Sequence, residues 1–432
     1  MNLTPEQQTV GRRNFLKAVA GLPVLAGLGV AAATRGPVTG GPVKLGFVGL
    51  GGEGRVLLAQ VDPAFAHVTA LCDINPAQLA RADEVLTKTN KPAAPHFADY
   101  KEMLAKADVE AVVIATPLWM HADQTVDCLE AGRHVLCEKM MAWDVEGCER
   151  MREAARRTGK VLEIGYQRFY NPMYQAAFHG IVKAGTLGDI HLARIAWHRN
   201  GNWRRAGEPP TPDFDPSPWG YKNWEHLLNW RLYKQYSRGL LAELASHQVN
   251  VVNWFFEAVP HTVQGAGGIH RFKDGREVDD HVYTTFEYPG DRTAVFSSIE
   301  SNAFDHFYEA FFGTKGTLIL RGETEAYLFE EGGGARPTGI EVTTATSGPV
   351  LEASESRTAD AAGGRSATGT ASTGDRLASY RYQISGFCAA IRTGAPLACG
   401  PDKAIGSALA CLTAFDAIEQ KTRLAVSPRD RT

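Results

Sequence analysis

The sequence holds no C-x-x-C pair. Its seven cysteines, Cys72, Cys128, Cys137, Cys148, Cys388, Cys399 and Cys411, are scattered and mostly lie inside apolar runs. Neither a disulfide framework nor a thiolate zinc site is signalled, no metal is expected, and buried free thiols are predicted. Charge of one sign is also lacking. A formal net charge of −3 gives no electrostatic reason to expect nucleic acid or an anionic membrane as partner. No internal repeat is present, which argues against a solenoid. The apolar run from Ala18 to Ala33 is diluted by Gly21, Pro23, Gly27 and Gly29 and falls short of the roughly 20 apolar residues of a spanning helix. Small molecules remain the natural ligands.

What is present fits a globular protein: 44% hydrophobic and 22% charged residues in a 432-residue chain, long enough for two domains or two plus a tail. Arg12-Arg13, followed by Asn14, Phe15, Leu16 and Lys17, matches the twin-arginine export pattern, and small residues near Ala33 offer a cleavage site. Residues 1–40 are therefore expected to be a signal and linker, and the mature protein to be periplasmic or otherwise exported without stable membrane insertion. An uncleaved anchor is the alternative. Because this route carries folded proteins, the thiols can stay reduced during folding, and a cofactor can be bound before export.

Beyond the Gly/Pro/Thr linker at Gly36 to Pro42, short apolar runs alternate with helical patterns. Strands are expected at Val43 to Gly49, His67 to Cys72, Ala111 to Thr116, His134 to Cys137 and Val161 to Gly165. Helices are expected from Glu53, over Pro76 to Lys88, Ala122 to Ala131 and Val145 to Arg157. Strands that are apolar throughout imply a parallel sheet covered on both faces, giving an α/β domain over residues 41–165. After Tyr166 the pattern changes. Helices at Pro172 to Ala184 and Leu240 to Phe256 accompany strands at Asp189 to His198, His281 to Tyr288, Thr293 to Ile299 and Thr317 to Leu320, with few crossover helices. Residues 166–426 thus read as an α+β domain with an open, mainly antiparallel sheet and closing helices at Arg376 to Thr393 and Pro401 to Lys421. The Ser-, Thr-, Ala- and Gly-rich segment 347–375 is expected to be a disordered insertion.

Gly49, Gly51 and Gly54 form G-x-G-x-x-G between a predicted strand and a predicted helix. The first glycine permits the tight turn, the second lets backbone approach a pyrophosphate, and the third lets helix and strand pack. The pyrophosphate would meet the free amides of the helix N-terminus, with Gly52 and Glu53 beside it. Asp73 ends the second strand and is the expected acceptor for the adenosine ribose hydroxyls; a carboxylate there repels a 2′-phosphate, so NAD is favoured over NADP. Alternatively, Asp73 caps the turn before Asn75-Pro76.

Gly49 to Gly54, Ala115-Thr116-Pro117 with His121, Cys137-Glu138-Lys139 and Gly165-Tyr166-Gln167-Arg168, in that order, resemble the Gfo/Idh/MocA oxidoreductases over Lys44 to about Val426. That resemblance implies a Rossmann domain and a dinucleotide site that also uses Thr116, Pro117, His121, Glu138, Lys139, Gln167 and Arg168. It implies that Lys139 points at the substrate hydroxyl and the nicotinamide ribose, although Met140 stands where the family's turn carries proline, whose ring fixes φ. The family's D-x-x-x-H pair corresponds to Glu243 and His247, four apart and so on one helix face.

Oxidising a secondary alcohol needs a hydride acceptor and a base for the hydroxyl proton. His247 is the candidate base. Lys139 shares the proton or polarises the developing ketone, Glu243 orients His247 or accepts a substrate hydroxyl, and Tyr166 is a further acid–base candidate. Arg168 either lies near the nicotinamide or packs between domains. Trp197, His198, Trp203, Arg204, Trp224, Trp230, Arg231, Tyr233 and Tyr236 suit a sugar ring or, alternatively, a dimer surface. Three functions compete. The first is an exported sugar or polyol oxidoreductase with a tightly held cofactor, and the second a glycosidase working by transient oxidation and elimination. The third is a non-catalytic, cofactor-bound sugar-binding protein, for which Met140 and Glu243 are the suspicious departures. The expected partners are a carbohydrate and further copies of the chain.

Overall fold

The first half of the chain alternates β-rich apolar runs with capped helices, and it folds accordingly. In a computed structural model describing residues 3–20, 40–331, 340–345, 348–353 and 376–426, strands β1 (Val43–Val48), β2 (Ala66–Cys72), β3 (His96–Phe97), β4 (Ala111–Ile114), β5 (His134–Glu138) and β6 (Leu162–Gly165) form one sheet in the order β3-β2-β1-β4-β5-β6. All of its pairings are parallel. The order reverses between β1 and β4, which opens a crevice at the strands' carboxyl ends. Asn75 caps the helix Pro76–Lys88 and Asp144 caps Val145–Thr158, each accepting a bond from a first-turn amide. The expected strands and helices of this half match within a few residues; the short β3 and the helix Tyr100–Lys106 add to them.

The second sheet is built from β7 (Ile190–His198), β8 (Thr262–Gly268), β9 (His281–Tyr288), β10 (Arg292–Ile299), β11 (Phe307–Gly313), β12 (Gly316–Arg321), β13 (Glu325–Glu330) and, beyond a separate hairpin of β14 (Ile340–Ala345) and β15 (Gly348–Ala353), β16 (Leu424–Ala425). Its order is β13-β12-β11-β7-β10-β9-β8-β16. Only β7 and β10 pair in parallel. Alternating burial along β9 shows one face packed and one face open. The β14–β15 hairpin corrects the reading of 347–375 as wholly disordered, since Gly348–Ala353 pairs with Ile340–Ala345; residues 354–375 lie outside the described residues.

Three details bear on the site. The helix expected from Leu240 to Phe256 begins with a π turn, Leu241–Ala245, before continuing as Ser246–Phe256. The helix Ala378–Thr393 returns to the first sheet, where Tyr380, Ile384 and Phe387 join the cluster of Val43, Leu45 and Phe47. The Arg12-bearing segment is the helix Pro5–Val19, closed by a Thr4–Gln7 capping box. Its Phe15 is buried, Arg12 pairs with Glu325, and Asn14 Nδ2 donates to Leu328 O at 3.3 Å. All seven cysteines are free and buried.

Candidate active site

The turn after β1 is built on glycine for steric reasons that can be measured. Gly49 has φ +89°, and a Cβ there would stand 2.7 Å from the Ala115 carbonyl carbon. A Cβ on Gly54 would lie 2.0 Å from Gly49 O, so that glycine lets the helix Gly52–Ala59 close on the strand. In front of Gly51 and Gly52 the space is open, with nothing within 4 Å of an added Cβ. Gly51 is the N-cap and supplies no side-chain bond to the first turn.

That open space belongs to a cavity of about 910 Å³ lined by Gly49, Gly51, Gly52, Glu53, Asp73, Thr116 and Pro117 from the first domain. Its volume lies within the roughly 300–1,000 Å³ of ligand clefts. Asp73 accepts from Leu50 N at 2.7 Å through one oxygen and from Asn75 N at 2.8 Å through the other. The turn-capping alternative is thus present, and the same carboxylate also lines the cavity. Burial pushes its pKa up to about 6 against the pull of those two amides and Arg55. An open glycine cradle at a helix N-terminus, with a carboxylate at the next strand end, fits a dinucleotide.

The far wall comes from the second domain: Arg205, Trp219, Tyr221, Trp224, Trp230 and Arg231. The walls meet where Trp119 packs edge-on to Tyr221, centroids 5.5 Å apart. Gly220 makes this possible, since a Cβ there would sit 2.5 Å from the Trp119 ring. Of the aromatic and cationic residues expected to meet a sugar, Trp224, Trp230 and Arg231 reach the cavity. Arg204 instead holds Glu225 and Asp274, and Trp203 lies under Arg199 at 3.9 Å. Trp119, Arg205, Trp219 and Tyr221 were missed by sequence reasoning. Their signals were the Trp119-Met120 pair two residues after Thr116-Pro117 and the glycine flanked by Trp219 and Tyr221.

Arg231 leads to a buried cluster of ionisable groups. Arg231 Nε donates to Glu243 Oε2 at 2.8 Å, and Lys139 Nζ donates to Glu243 O at 2.9 Å. Lys139 therefore reaches across from the end of β5 to the π turn that leads into His247. The Lys139–Met140 peptide is cis. His247 is 7% exposed, sits between Tyr166 (centroids 6.4 Å apart, edge-on) and Trp197 (5.7 Å), and has no hydrogen-bond partner at Nδ1. Burial, reinforced by Lys139 and Arg168, holds its pKa well below the usual value, so the ring is neutral. Burial alone would raise the Glu243 carboxyl, but Arg231 and Lys139 hold it below the ordinary range. Glu138 is buried beside them; burial, then Glu53, pushes its carboxyl up to about 8, and its Oε1 lacks a partner. The Tyr166 hydroxyl is likewise raised by burial.

Four sequence expectations need correction. Glu243 does not orient His247: its carboxylate belongs to Arg231. Arg168 is not at the cavity but fully buried inside the second domain, pairing with Glu309 of β11 and, at 2.8 Å, with Glu323 of the β12–β13 turn. Gln167 turns to Tyr380, Nε2 to Oη 3.3 Å. His121 places Nδ1 3.0 Å from Met140 O and Nε2 3.0 Å from Thr116 O, bracing the two turns rather than touching the cavity.

Residues 43–166 match the oxidoreductase family Gfo/Idh/MocA, NAD-binding Rossmann fold, and residues 176–319 match the Gfo/Idh/MocA C-terminal domain. The chain belongs to the Gfo/Idh/MocA oxidoreductase family. Its first domain is an NAD-binding Rossmann domain. A glycosyl hydrolase family 109 protein from Shewanella sp. (strain ANA-3) is 30% identical over 187 residues, 38% of this chain and 39% of that protein, so the match spans well under half of the relative. Among solved structures, levoglucosan dehydrogenase in complex with NADH and levoglucosan superposes with a TM-score of 0.66 at 18% identity, covering 89% of this chain and 99% of that one. Scyllo-inositol dehydrogenase from Lactobacillus casei with NAD(H) and scyllo-inositol gives 0.63 at 18%, covering 89% and 99%. These two likenesses establish the fold.

Proposed function

We propose that this Gfo/Idh/MocA protein oxidises a secondary hydroxyl of a sugar or sugar-like polyol, using NAD that stays bound between turnovers. The observation that carries the reading is the bond from Lys139, at the end of a Rossmann strand, to the Glu243 carbonyl in the turn that leads into the His247 helix, with the Glu243 carboxylate paired to Arg231 of the cavity wall. Bound there, the dinucleotide supplies a hydride acceptor. Gly51, Gly52 and Asp73 hold it, and Asp73 favours NAD over NADP. His247, neutral and with a free ring nitrogen, takes the hydroxyl proton; Lys139 donates to the oxygen as negative charge develops. Tyr166, at the edge of the His247 ring, excludes water and is a second proton carrier. Trp224 and Trp230 offer flat apolar faces to a pyranose ring.

A second reading is favoured by the family 109 glycosyl hydrolase relatives. In it the same groups remove a proton from the carbon beside the oxidised position and return one to the departing alcohol. One experiment separates the two: identify any nucleotide released on denaturation, then assay the intact protein on free sugars and aryl glycosides without added NAD. Sugar oxidation coupled to reduction of a second carbonyl compound is the expected result. Glycoside cleavage without net NADH selects the second reading, and turnover of neither class contradicts both.

We propose in addition that the protein is exported by the twin-arginine route, supported by Arg12-Arg13 and the apolar run after them. Changing both arginines to lysine should leave the folded protein in the cytoplasm; unchanged delivery to the periplasm would remove the proposal.

A further inference from the structure

Two guanidinium groups, Arg205 and Arg231, line the dinucleotide cavity, another, Arg55, lies close behind the glycine turn, and two of the three are committed. Arg55 Nη1 donates to Leu50 O at 2.6 Å and also holds Gln78. Arg231 is paired with Glu243. The third, Arg205, lines the cavity together with Gly49, Gly51 and Gly52, and its guanidinium makes no hydrogen bond or ion pair among the described residues.

An unpaired surface arginine is ordinary, but this one is carried by a fixed backbone. Asn229, 2% exposed, accepts from Arg205 N at 2.6 Å and donates to Arg205 O at 3.1 Å. The same amide donates to Glu225 Oε2 at 3.0 Å. On one side Arg204 is tied to Glu225 and Asp274; on the other Trp224 Nε1 donates to Gly207 O at 2.8 Å. The loop is thus held at both flanks while the side chain between them is left without an acceptor. Solvent reaches Arg205, yet desolvation, followed by the like charge of Arg231, lowers its pKa, with Arg55 adding to the effect and Glu243 opposing it. Positive charge concentrated opposite a glycine turn and a helix N-terminus calls for an oxyanion.

We infer that Arg205 is an anion-binding residue that closes over the dinucleotide from the second domain and pairs with its pyrophosphate. The inference rests on the reading of the cavity as the NAD site. It assigns the retention of cofactor to a specific interdomain contact: the Rossmann turn offers amides from below, and Arg205 offers a planar fork from above.

The same oxyanion chemistry would suit an acidic group on the substrate, so the test must separate the sources. Trp119, Trp219, Trp224 and Trp230 line the cavity and provide a fluorescence signal for binding. Affinities for NAD, ADP-ribose and adenosine, and the NAD dissociation rate, are measured for the wild type, Arg205→Gln, Arg205→Lys and Asp73→Ala. Arg205→Gln should weaken NAD and ADP-ribose by roughly 10- to 100-fold, the size of one charge-assisted hydrogen bond, and speed NAD release. Adenosine, which lacks the pyrophosphate, should be unaffected, and lysine should restore part of the loss. NAD and ADP-ribose affinities within twofold of wild type in Arg205→Gln would overturn the inference and leave a substrate anion as the alternative source. If Asp73→Ala weakens NAD while Arg205→Gln does not, the NAD reading stands and only this assignment falls. If the wild type binds neither NAD nor ADP-ribose, both fall together.

Discussion

Lys139 Nζ bonds the backbone carbonyl of Glu243, not its carboxylate, and so ties the end of a Rossmann strand to the first turn of the helix that carries His247. The side chain of Glu243 is spent on Arg231 instead.

This division of labour predicts a mild catalytic phenotype for Glu243→Gln. Lys139 keeps its acceptor, but Arg231 loses a partly buried ion pair. A loss of about 1–3 kcal/mol in stability is expected, with turnover falling less than in His247→Ala. Denaturant melts and steady-state kinetics check both halves.

Asp73 titrates where cofactor binding can be followed. Its folded pKa is raised to about 6 by burial. Only the ionised carboxylate accepts from both ribose hydroxyls while keeping the bonds from Leu50 N and Asn75 N. NAD affinity is therefore expected to fall as pH drops through about 6, and Asp73→Ala should abolish that dependence. The variant should also lose roughly 1.5–3 kcal/mol of binding and discriminate less against NADP. Dissociation constants between pH 5 and 8 decide it; tighter binding of NADP than NAD by the wild type would contradict the assignment.

Two buried histidines link folding to pH. Burial lowers the pKa of both His121 and His247, so the unfolded chain binds more protons than the folded one between the folded values and about 6.5. The contribution of these two histidines to stability should accordingly shrink as pH drops below about 6.5, opposed by the buried carboxyls of Asp73 and Glu138, whose raised pKa values favour the folded chain as pH falls. A neutral imidazole has one N–H, so His121 can donate to only one of its two carbonyl neighbours. His121→Ala leaves those carbonyls without it and should cost about 1–3 kcal/mol near neutral pH, with the difference from wild type shrinking as pH drops below about 6.5, measured by urea titration at several pH values.

The Rossmann half was legible because its signals are local: capped helices, apolar parallel strands and glycines whose spacing the turn demands. Gly49 and Gly54 do what the motif requires of them, and Lys139 reaches the helix of His247. What failed depends on long-range pairing. Nothing near Arg168 in sequence announces Glu309 and Glu323, more than 130 residues away, and nothing near Glu243 shows that a π turn will hand its carboxylate to Arg231. Strands β8, β11 and β13 escaped notice because glycine, aromatic and charged residues interrupt their alternation, and only pairing with neighbours fixes them.

The central claim is that one site spans two domains, with Lys139 and His247 serving chemistry rather than cofactor binding. The most direct measurement is a paired determination of turnover and NAD affinity in Lys139→Ala and His247→Ala. The account predicts that each loses about 10²- to 10⁴-fold in rate while NAD affinity stays within a few-fold of wild type. Full activity in His247→Ala, or equal collapse of NAD binding and turnover in both, would contradict it.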